Sequence, residues 1–299
     1  MGSDINTRGV NGPASQINGA TRLVGVFGFP VEHSLSPAMH NAAFAALNLP
    51  FVYLPFRVPP EQLKSALLGL SSLGIVGVNL TIPHKQAALS LVDIVTDEAA
   101  EVGAVNTVHC TPEGLVGDNT DGLGFYTPLK ETNREFAGTR ALVLGAGGAA
   151  RSVVFRLARE GVAVALLNRT LDHAAALAMS VRSAGYENVS VLDYADTAGI
   201  REALHEASLV VNTTRVGMFP ESDGVPELPL EKLSGSQLVY DLVYNPVKTR
   251  LLEEAEKRGC ETMTGVKMLV YQGAAAFERW TGMWPPTAVM ESAVLRGLE

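Results

Sequence analysis

Residues 141–150 read Ala141-Leu142-Val143-Leu144-Gly145-Ala146-Gly147-Gly148-Ala149-Ala150, an apolar run that passes directly into a glycine-rich turn. A nearly unbroken apolar run is typical of a strand that is buried on both faces of a parallel sheet. A helical pattern follows over 149–160 and ends at Gly161, and a second apolar run occupies 162–167. This order of strand, turn, helix and strand predicts a βαβ unit.

The glycine spacing of this turn is typical of a dinucleotide site. Gly145 permits the tight turn, Gly147 lets the backbone approach a pyrophosphate, and Ala150 takes the small-residue place where the helix packs on the strand. Free N–H groups at the start of the helix bind an anion. A tight connection without a ligand is the alternative, but the βαβ context favours a cofactor. The predicted contacts are Gly145, Ala146, Gly147, Gly148 and Ala149.

The end of the next strand indicates which dinucleotide binds. An acidic residue there would accept hydrogen bonds from the ribose hydroxyls of NAD, but this chain has Asn168-Arg169-Thr170. A guanidinium with neighbouring amide and hydroxyl donors suits the 2′-phosphate of NADP. We therefore predict NADP as the cofactor. The alternative is that Arg169 is a solvated loop residue.

Composition excludes several classes of protein. The 299 residues are 47% hydrophobic and 18% charged and contain no long apolar run, which predicts a globular, soluble chain. A net charge of −8 disfavours nucleic acid and anionic membranes as partners. Cys110 and Cys260 lie far apart, so neither a disulfide framework nor a metal site is indicated, and a reducing cytoplasm fits best.

Short apolar runs alternate with amphipathic stretches from Leu23 onward, which indicates two series of βαβ units. In the first series, one helix begins after Ser36-Pro37 and another at Pro59-Pro60. The predicted strands are 23–29, 51–56, 75–80, 105–110, 208–212 and 237–241, and the other predicted helices are 249–258, 266–280 and 288–298. Residues 1–20, rich in Gly, Asn and Ser, are interpreted as a flexible tail. We expect the domain junction near 121–125, where glycines interrupt the pattern.

Lys85 closes the segment Thr81-Ile82-Pro83-His84-Lys85, which follows the predicted strand 75–80. Ligands of open α/β sheets bind at this carboxyl end. If Pro83 opens a short helix, Lys85 lies in its first turn, where the helix dipole favours the neutral amine. Such a local conflict suggests a functional role. The alternative is an ordinary exposed lysine.

Asp121 lies in a second polar cluster, Gly117-Asp118-Asn119-Thr120-Asp121-Gly122, and could face Lys85. A carboxylate beside a lysine orients the ammonium and stabilises its charged form, whereas a helix start opposes that charge. An ordinary Asp-Gly turn is the alternative.

Ser34 and Ser36 form a candidate site for a carboxylate. If the segment is extended, both hydroxyls lie on one side, immediately ahead of a helix N-terminus. Hydroxyl donors and a helix dipole can hold an anion. The alternative role for Ser36 is that of an N-cap.

Taken together, these segments resemble the shikimate dehydrogenase family from about Leu23 to the C-terminus. The motifs of the first half lie at 28–41, at Asn79-Leu80-Thr81-Ile82-Pro83-His84-Lys85, at 103–107 and at Asn119-Thr120-Asp121-Gly122. Those of the second half are the glycine turn and residues 168–170, 212–218, 240–244 and 272–274.

The resemblance implies two α/β domains with the active site in the cleft between them. Residues 21–123 and 265–299 would form the substrate-binding domain, with a mainly parallel sheet. Residues 124–264 would form a Rossmann-like NADP-binding domain. The residues alone leave open on which half the closing helices pack.

The resemblance also implies a reaction, the reversible NADPH-dependent reduction of 3-dehydroshikimate to shikimate in the pathway to aromatic amino acids. Lys85 would be the general acid and base, paired with Asp121. Ser34, Ser36 and Tyr244 would hold the substrate carboxylate. The ring hydroxyls would be contacted or supported by Thr81, Asn106 and Gln272, and the cofactor would be approached by Leu242, Gly265 and Asp97. The expected partner is this small molecule, and a homodimer is possible.

Two kinds of rival function remain open at this point. One is a quinate/shikimate or aminoshikimate dehydrogenase on the same scaffold. The biosynthetic shikimate enzyme is favoured over it by Ser34, Ser36 and the Asn-Arg-Thr motif. The other is a regulator that binds a dinucleotide without catalysis. Such a regulator should have lost Lys85 or Asp121, yet both are present.

Overall fold

The computed structural model describes residues 17–299 and contains two six-stranded sheets. Most of the tail predicted over residues 1–20 lies outside the described residues. None of the helices within 17–299 has both the length and the apolar character needed to cross a membrane.

The first sheet consists of β1 (Arg22–Gly28), β2 (Phe51–Arg57), β3 (Ile75–Leu80), β4 (Ile94–Val95), β5 (Thr107–Thr111) and β6 (Gly114–Asp118). Their order in the sheet is β2-β1-β3-β5-β6-β4. The pairs of β1 with β2 and β3 are parallel. However, β5 is antiparallel to both of its neighbours, because β5 and β6 form a hairpin. The pair of β4 with β6 is again parallel, so three of the five pairs are parallel, and the sheet is mainly parallel as expected, with one antiparallel strand.

The helices of the first half are α1 (Ser36–Ala46), α2 (Leu63–Ser72) and α3 (Asp97–Val102). Pro37 stands in the first turn of α1, which begins at Ser36 rather than after Ser36-Pro37. A three-ten turn at Pro60–Gln62 leads into α2, where Pro59-Pro60 predicted a helix start. The Thr96 side chain caps α3 by accepting a hydrogen bond from the N–H of Ala99.

The second sheet is parallel throughout and has the order β12-β11-β10-β7-β8-β9, formed by β7 (Arg140–Leu144), β8 (Ala163–Leu167), β9 (Val189–Leu192), β10 (Leu209–Asn212), β11 (Leu238–Asp241) and β12 (Glu261–Thr264). This is the Rossmann order, with the glycine turn after its first strand. The accompanying helices are α5 (Gly148–Arg159), α6 (Leu171–Ser183), α7 (Thr197–Glu206) and α8 (Arg250–Glu256).

Two helices carry the chain between the sheets: α4 (Asp121–Lys130) leaves the first sheet, and α9 (Gly265–Thr281) returns to it. The glycines at 122 and 124 do not interrupt the secondary structure, because they lie inside the continuous helix α4, and a domain junction near 121–125 stays a prediction. A Cβ on Gly124 would lie 2.5 Å from the backbone nitrogen of Gln272, so glycine permits the close approach of α4 to α9.

The closing helices, α9 and α10 (Thr287–Arg296), pack on the first sheet. Val270 and Phe277 of α9 and Met290 of α10 share one buried cluster with Val24 of β1 and Phe44 of α1. The side on which these helices pack agrees with what the resemblance implied.

Candidate active site

A cavity of about 350 Å³ lies between the two sheets. Its lining comes from both halves of the chain: Lys85 follows β3 of the first sheet, whereas Ala149 on α5 and Tyr244 after β11 belong to the half that contains the second sheet. All predicted catalytic and substrate-binding residues line it, namely Ser34, Ser36, Thr81, Lys85, Asn106, Asp121, Tyr244 and Gln272.

An ion pair joins the two predicted catalytic residues. Lys85 Nζ lies 2.6 Å from Asp121 Oδ2, and the carboxylate is the more buried partner, with 7% of its side chain exposed against 29% for the lysine. Asp121 is the first residue of α4, where the helix dipole favours a negative charge. The lysine thus reaches the cavity with its ammonium held by an anchored carboxylate.

The segment around Lys85 is not the helix that Pro83 was expected to open. Residues 82–86 form turns, and a three-ten helix begins only at Ala87. The His84 ring nitrogen Nε2 lies 2.8 Å from the carbonyl oxygen of Val58, and the Lys85 carbonyl accepts a hydrogen bond from the N–H of Val105. These long-range contacts decide the local conformation, so the helix-dipole argument, which required a helix opened by Pro83, does not apply.

Asn106 holds the Asp121 carboxylate in place by hydrogen bonding. Its Nδ2 donates to Asp121 Oδ1 over 2.8 Å, while its Oδ1 accepts from the backbone N–H of Thr120 over 2.8 Å. Both carboxylate oxygens of Asp121 therefore have a donor, one from Asn106 and one from Lys85.

Ser34 and Ser36 meet at the start of α1, although the segment is not extended as expected. Leu35 between them is helical, and Ser36 is the first residue of α1 rather than its N-cap. Ser34 Oγ instead accepts a hydrogen bond from the N–H of Ser36. Both serines line the cavity at a helix N-terminus, which is suited to an anion.

Three further residues face the cavity from different elements. Burial raises the pKa of the Tyr244 hydroxyl, so this group stays protonated and able to donate a hydrogen bond. Thr81 follows β3 directly, and its N–H donates to the carbonyl of Phe27. Gln272 projects from α9, and its amide donates to the carbonyl of Leu269.

The glycine turn has the backbone geometry that a dinucleotide needs. Gly145 has a φ of +104°, and a Cβ there would lie 2.6 Å from Thr213 Oγ1. Added Cβ atoms on Gly147 and Gly148 would meet nothing within 4 Å, so their backbone faces open space. Since α5 begins at Gly148, free N–H groups face this space, and Ala150 is buried against the core.

The Asn168-Arg169-Thr170 segment lies beside this turn, because the N–H of Gly145 donates to the carbonyl of Leu167 at the end of β8. Asn168 Nδ2 donates to the carbonyl of Thr170, and Arg169 is exposed. No acidic side chain within residues 17–299 forms an ion pair with Arg169. The guanidinium is thus free to bind a phosphate.

The remaining predicted cofactor contacts divide into two groups. Leu242 and Gly265 line the cavity. Asp97 does not: it is an exposed residue at the start of α3, and its neighbour Glu98 pairs with Arg159 at the far end of α5 from the glycine turn. The predicted approach of Asp97 to the cofactor stays a prediction.

Three buried polar residues near the site were not assigned a role from the sequence: Tyr53, Asn79 and Thr107. Asn79 could have been found, because it interrupts the otherwise apolar strand β3, and a buried amide needs partners. Asn79 lines the cavity.

Three family models match separate parts of the chain. Residues 26–108 match the shikimate dehydrogenase substrate binding domain. Residues 129–218 match the shikimate/quinate 5-dehydrogenase model, and residues 265–295 match the shikimate 5′-dehydrogenase C-terminal domain.

Individual relatives extend these matches over nearly the whole chain. The NADP⁺-dependent shikimate dehydrogenase of Methanopyrus kandleri is 50% identical over 287 residues, which cover 94% of this chain and 98% of the relative. A crystal structure of a shikimate dehydrogenase in complex with NADP⁺ superposes with a TM-score of 0.90 at 39% identity, covering 97% of this chain and 100% of the other. The Thermus thermophilus shikimate 5-dehydrogenase, solved with NADP(H) and shikimate, gives a TM-score of 0.83 at 41% identity, covering 93% and 100%. The chain belongs to the shikimate dehydrogenase family.

Proposed function

We propose that this chain is an NADP-dependent shikimate dehydrogenase, which reversibly reduces 3-dehydroshikimate to shikimate with NADPH. The observation that carries the proposal is the Lys85–Asp121 ion pair in a cleft whose opposite wall is the start of the glycine-turn helix. An acid–base pair facing a dinucleotide turn suits the transfer of a hydride and a proton to one carbonyl group.

Lys85 supplies the proton of this reaction. The nicotinamide, when bound, supplies the hydride to the C3 carbonyl carbon. The Lys85 ammonium donates a proton to the carbonyl oxygen, so that a hydroxyl results, and in the oxidising direction the neutral amine removes that proton. Asp121, fixed at the helix start and by Asn106, orients the ammonium and stabilises its charge.

The substrate carboxylate would lie at the start of α1. Ser34 and Ser36 offer hydroxyl donors there, and the helix N-terminus adds a favourable dipole. Tyr244 adds a protonated phenol from the second sheet. The ring hydroxyls would meet Thr81 and Gln272, whereas Asn106 acts mainly by supporting Asp121.

The pyrophosphate of NADP would bind at the start of α5, where the turn residues Gly145, Ala146, Gly147, Gly148 and Ala149 present their backbone. Asn168, Arg169 and Thr170 would bind the 2′-phosphate through charge-assisted hydrogen bonds. Leu242 and Gly265, which line the cavity, would meet the nicotinamide end.

In this proposal, substrate binding and cofactor binding belong to the two different halves of the chain, each with its own sheet. Residues 21–123 and 265–299 would bind the substrate, and residues 124–264 would bind NADP, with α4 running across the boundary. Placement in the cytoplasm is part of the proposal, since Cys110 and Cys260 are free thiols. A homodimer stays a prediction that light scattering of the purified protein can test.

The experiment compares shikimate and quinate, each with NADP⁺ and NAD⁺, by following the absorbance of the reduced nicotinamide. We expect shikimate with NADP⁺ to give the highest kcat/KM. Lys85→Met should lower kcat by about 10²–10⁴-fold, because general acid–base catalysis contributes about that much. It should leave NADP⁺ binding nearly unchanged.

The matched control is Lys130→Met, at the exposed end of α4, which should turn over like the wild type. Activity with none of the four pairs would contradict the proposed function and favour a regulator. Wild-type turnover by Lys85→Met would remove the lysine from the mechanism.

A further inference from the structure

A chain of hydrogen bonds between buried side chains ends on Asp121, and two of its members, Asn79 and Asn106, line the cavity. The Tyr53 hydroxyl donates to Asn79 Oδ1 over 2.8 Å, and Asn79 Nδ2 donates to Thr107 Oγ1 over 3.0 Å. The Thr107 hydroxyl donates to Asn106 Oδ1 over 2.9 Å, and Asn106 Nδ2 donates to Asp121 Oδ1 over 2.8 Å. All five residues are buried. We call Tyr53, Asn79, Thr107 and Asn106 the positioning chain.

Every hydrogen bond of the positioning chain is donated in the same direction, toward the carboxylate. A hydroxyl has a single proton, and an amide has one donating and one accepting end, so each bond fixes the next. Asn79 donates to the Thr107 oxygen, and the Thr107 proton is directed to the side-chain oxygen Oδ1 of Asn106 at 2.9 Å rather than to the Thr120 hydroxyl oxygen at 3.4 Å. Asn106 then presents its amino end to Asp121, and the aligned dipoles stabilise the negative charge.

Tyr53 is held firmly enough to anchor this direction. The Asn41 side chain bonds both the backbone N–H and the carbonyl of Tyr53, at 2.8 and 2.9 Å. The His40 ring stacks on the phenol ring at 4.4 Å between centroids. Burial raises the pKa of Tyr53 far above its ordinary value, an effect that the Ser36 hydroxyl opposes only in part, so the phenol stays a donor.

We propose that Tyr53 is a positioning residue for the acid–base pair, acting through Asn79 and Thr107 to keep the Asn106 amide donating to Asp121. The inference rests on the proposed function, because it assigns Asp121 and Lys85 to the chemistry. The backbone N–H of Thr120 also donates to Asn106 Oδ1, so breaking the chain loosens the carboxylate without releasing it.

The first test is Tyr53→Phe, which removes one hydroxyl and keeps the ring. We expect kcat for shikimate oxidation with NADP⁺ to fall about 3- to 10-fold, the effect of one neutral hydrogen bond. The KM for NADP⁺ should stay within about twofold of wild type, since no residue of the positioning chain lies in the proposed cofactor site. Tyr240→Phe is the matched control: its side chain is equally buried, and its hydroxyl makes no hydrogen bond with a residue of the positioning chain. Its kcat should stay within about twofold of wild type.

Thr107, in the middle of the positioning chain, provides a second test. It tests the inference even if Tyr53→Phe does not fold. Thr107→Val removes the hydroxyl and should lower kcat about as much as Tyr53→Phe. Thr107→Ser keeps the hydroxyl and should restore wild-type turnover. The double variant Tyr53→Phe/Thr107→Val should lose no more kcat than the less active of the two single variants, because both changes break the same positioning chain.

Two results would overturn the inference while leaving the proposed function intact. One is an active wild type with Tyr53→Phe or Thr107→Val at wild-type kcat. The other is a double variant whose loss is the product of the two single losses, which would mean that the residues act independently. A wild type that fails to oxidise shikimate would overturn the proposed function, and this inference with it.

Discussion

Arg169 projects from the carboxyl end of β8 with no acidic partner among the described residues. We predict that Arg169→Ala raises the KM for NADP⁺ about 10- to 100-fold, because hydrogen bonds to charged groups are worth about 1.5–3 kcal/mol. The KM for NAD⁺, which lacks the 2′-phosphate, should change by less than about twofold. Initial-rate kinetics with both dinucleotides at saturating shikimate measure the difference.

Arg201→Ala is a suitable control for this change, because Arg201 is an exposed arginine on α7 whose partner is Glu231. It should leave both KM values at wild type. If Arg169→Ala raised the KM for NADP⁺ and NAD⁺ equally, the residue would bind a part common to both dinucleotides, and the phosphate role would be lost.

Residue identity was easier to predict from the sequence than residue conformation. The motifs pointed to Ser34, Lys85 and Asp121, and the fold brings them into one cavity. The helix expected at Pro83 was wrong because a contact between His84 and Val58, distant in sequence, decides that segment. Tyr53 was missed for a similar reason: its partner Asn79 lies on a different strand.

At the scale of elements, the contact of α4 with α9 depends on Gly124. We predict that Gly124→Ala lowers the free energy of unfolding by about 1–3 kcal/mol, because the new methyl group would overlap the backbone of Gln272. The KM for shikimate should also rise, since Gln272 lines the cavity. Urea denaturation and initial-rate kinetics test both effects.

The same substitution at Gly69 should have the opposite sign. Gly69 lies inside α2, where an added Cβ would meet only Leu73 Cδ1 at 4.0 Å. Gly69→Ala should therefore raise the free energy of unfolding by about 0.5–1 kcal/mol through helix propensity. Equal effects of the two substitutions would show that α4 and α9 have room to separate.

Elements with a strong apolar pattern were predicted well, and short or polar ones were not. The strand predicted over 75–80 is β3 (Ile75–Leu80). By contrast, β4 has two residues and β6 contains two glycines, so neither has a periodic pattern to detect. The antiparallel hairpin of β5 and β6 was missed for this reason. The glycines of α4 looked like breaks because their packing partner lies on α9, far along the chain.

At the scale of the whole molecule, His40 couples folding to pH. It is fully buried, neither ring nitrogen has a partner within residues 17–299, and burial lowers its pKa from 6.5 to about 3. Below pH 6.5 the unfolded chain binds a proton that the folded chain does not, so this contribution to stability is lost as pH falls toward 3. Between pH 7 and pH 5 the loss is about 2 kcal/mol.

His40→Leu should remove that loss, so the difference in unfolding free energy between pH 7 and pH 5 should shrink by about 2 kcal/mol. Urea denaturation at the two pH values measures it. His205→Leu, at an exposed position on α7, should keep the wild-type difference. An unchanged pH dependence in His40→Leu would mean that other groups cause the acid sensitivity.

The arrangement of the two halves was only partly accessible from the sequence. The glycine turn predicted the second sheet, and its Rossmann order follows. The residues alone did not decide where the closing helices pack, because an apolar helix face fits either sheet. Contacts such as Phe277 against Phe44 decide it, and they exist only in the folded chain.

The adjacent helices α4 and α9 have a consequence for how such a protein can change. The chain leaves the first sheet along α4 and returns along its neighbour α9. The segment between these helices, which contains the second sheet, is therefore a single cassette whose two ends lie side by side. A cassette of this kind can be exchanged during evolution, or by grafting, without rethreading the rest of the chain. Lys85 precedes this segment and Asp121 lies at its start, so, under the proposed function, the dinucleotide-binding part and the acid–base pair of the chain can vary separately.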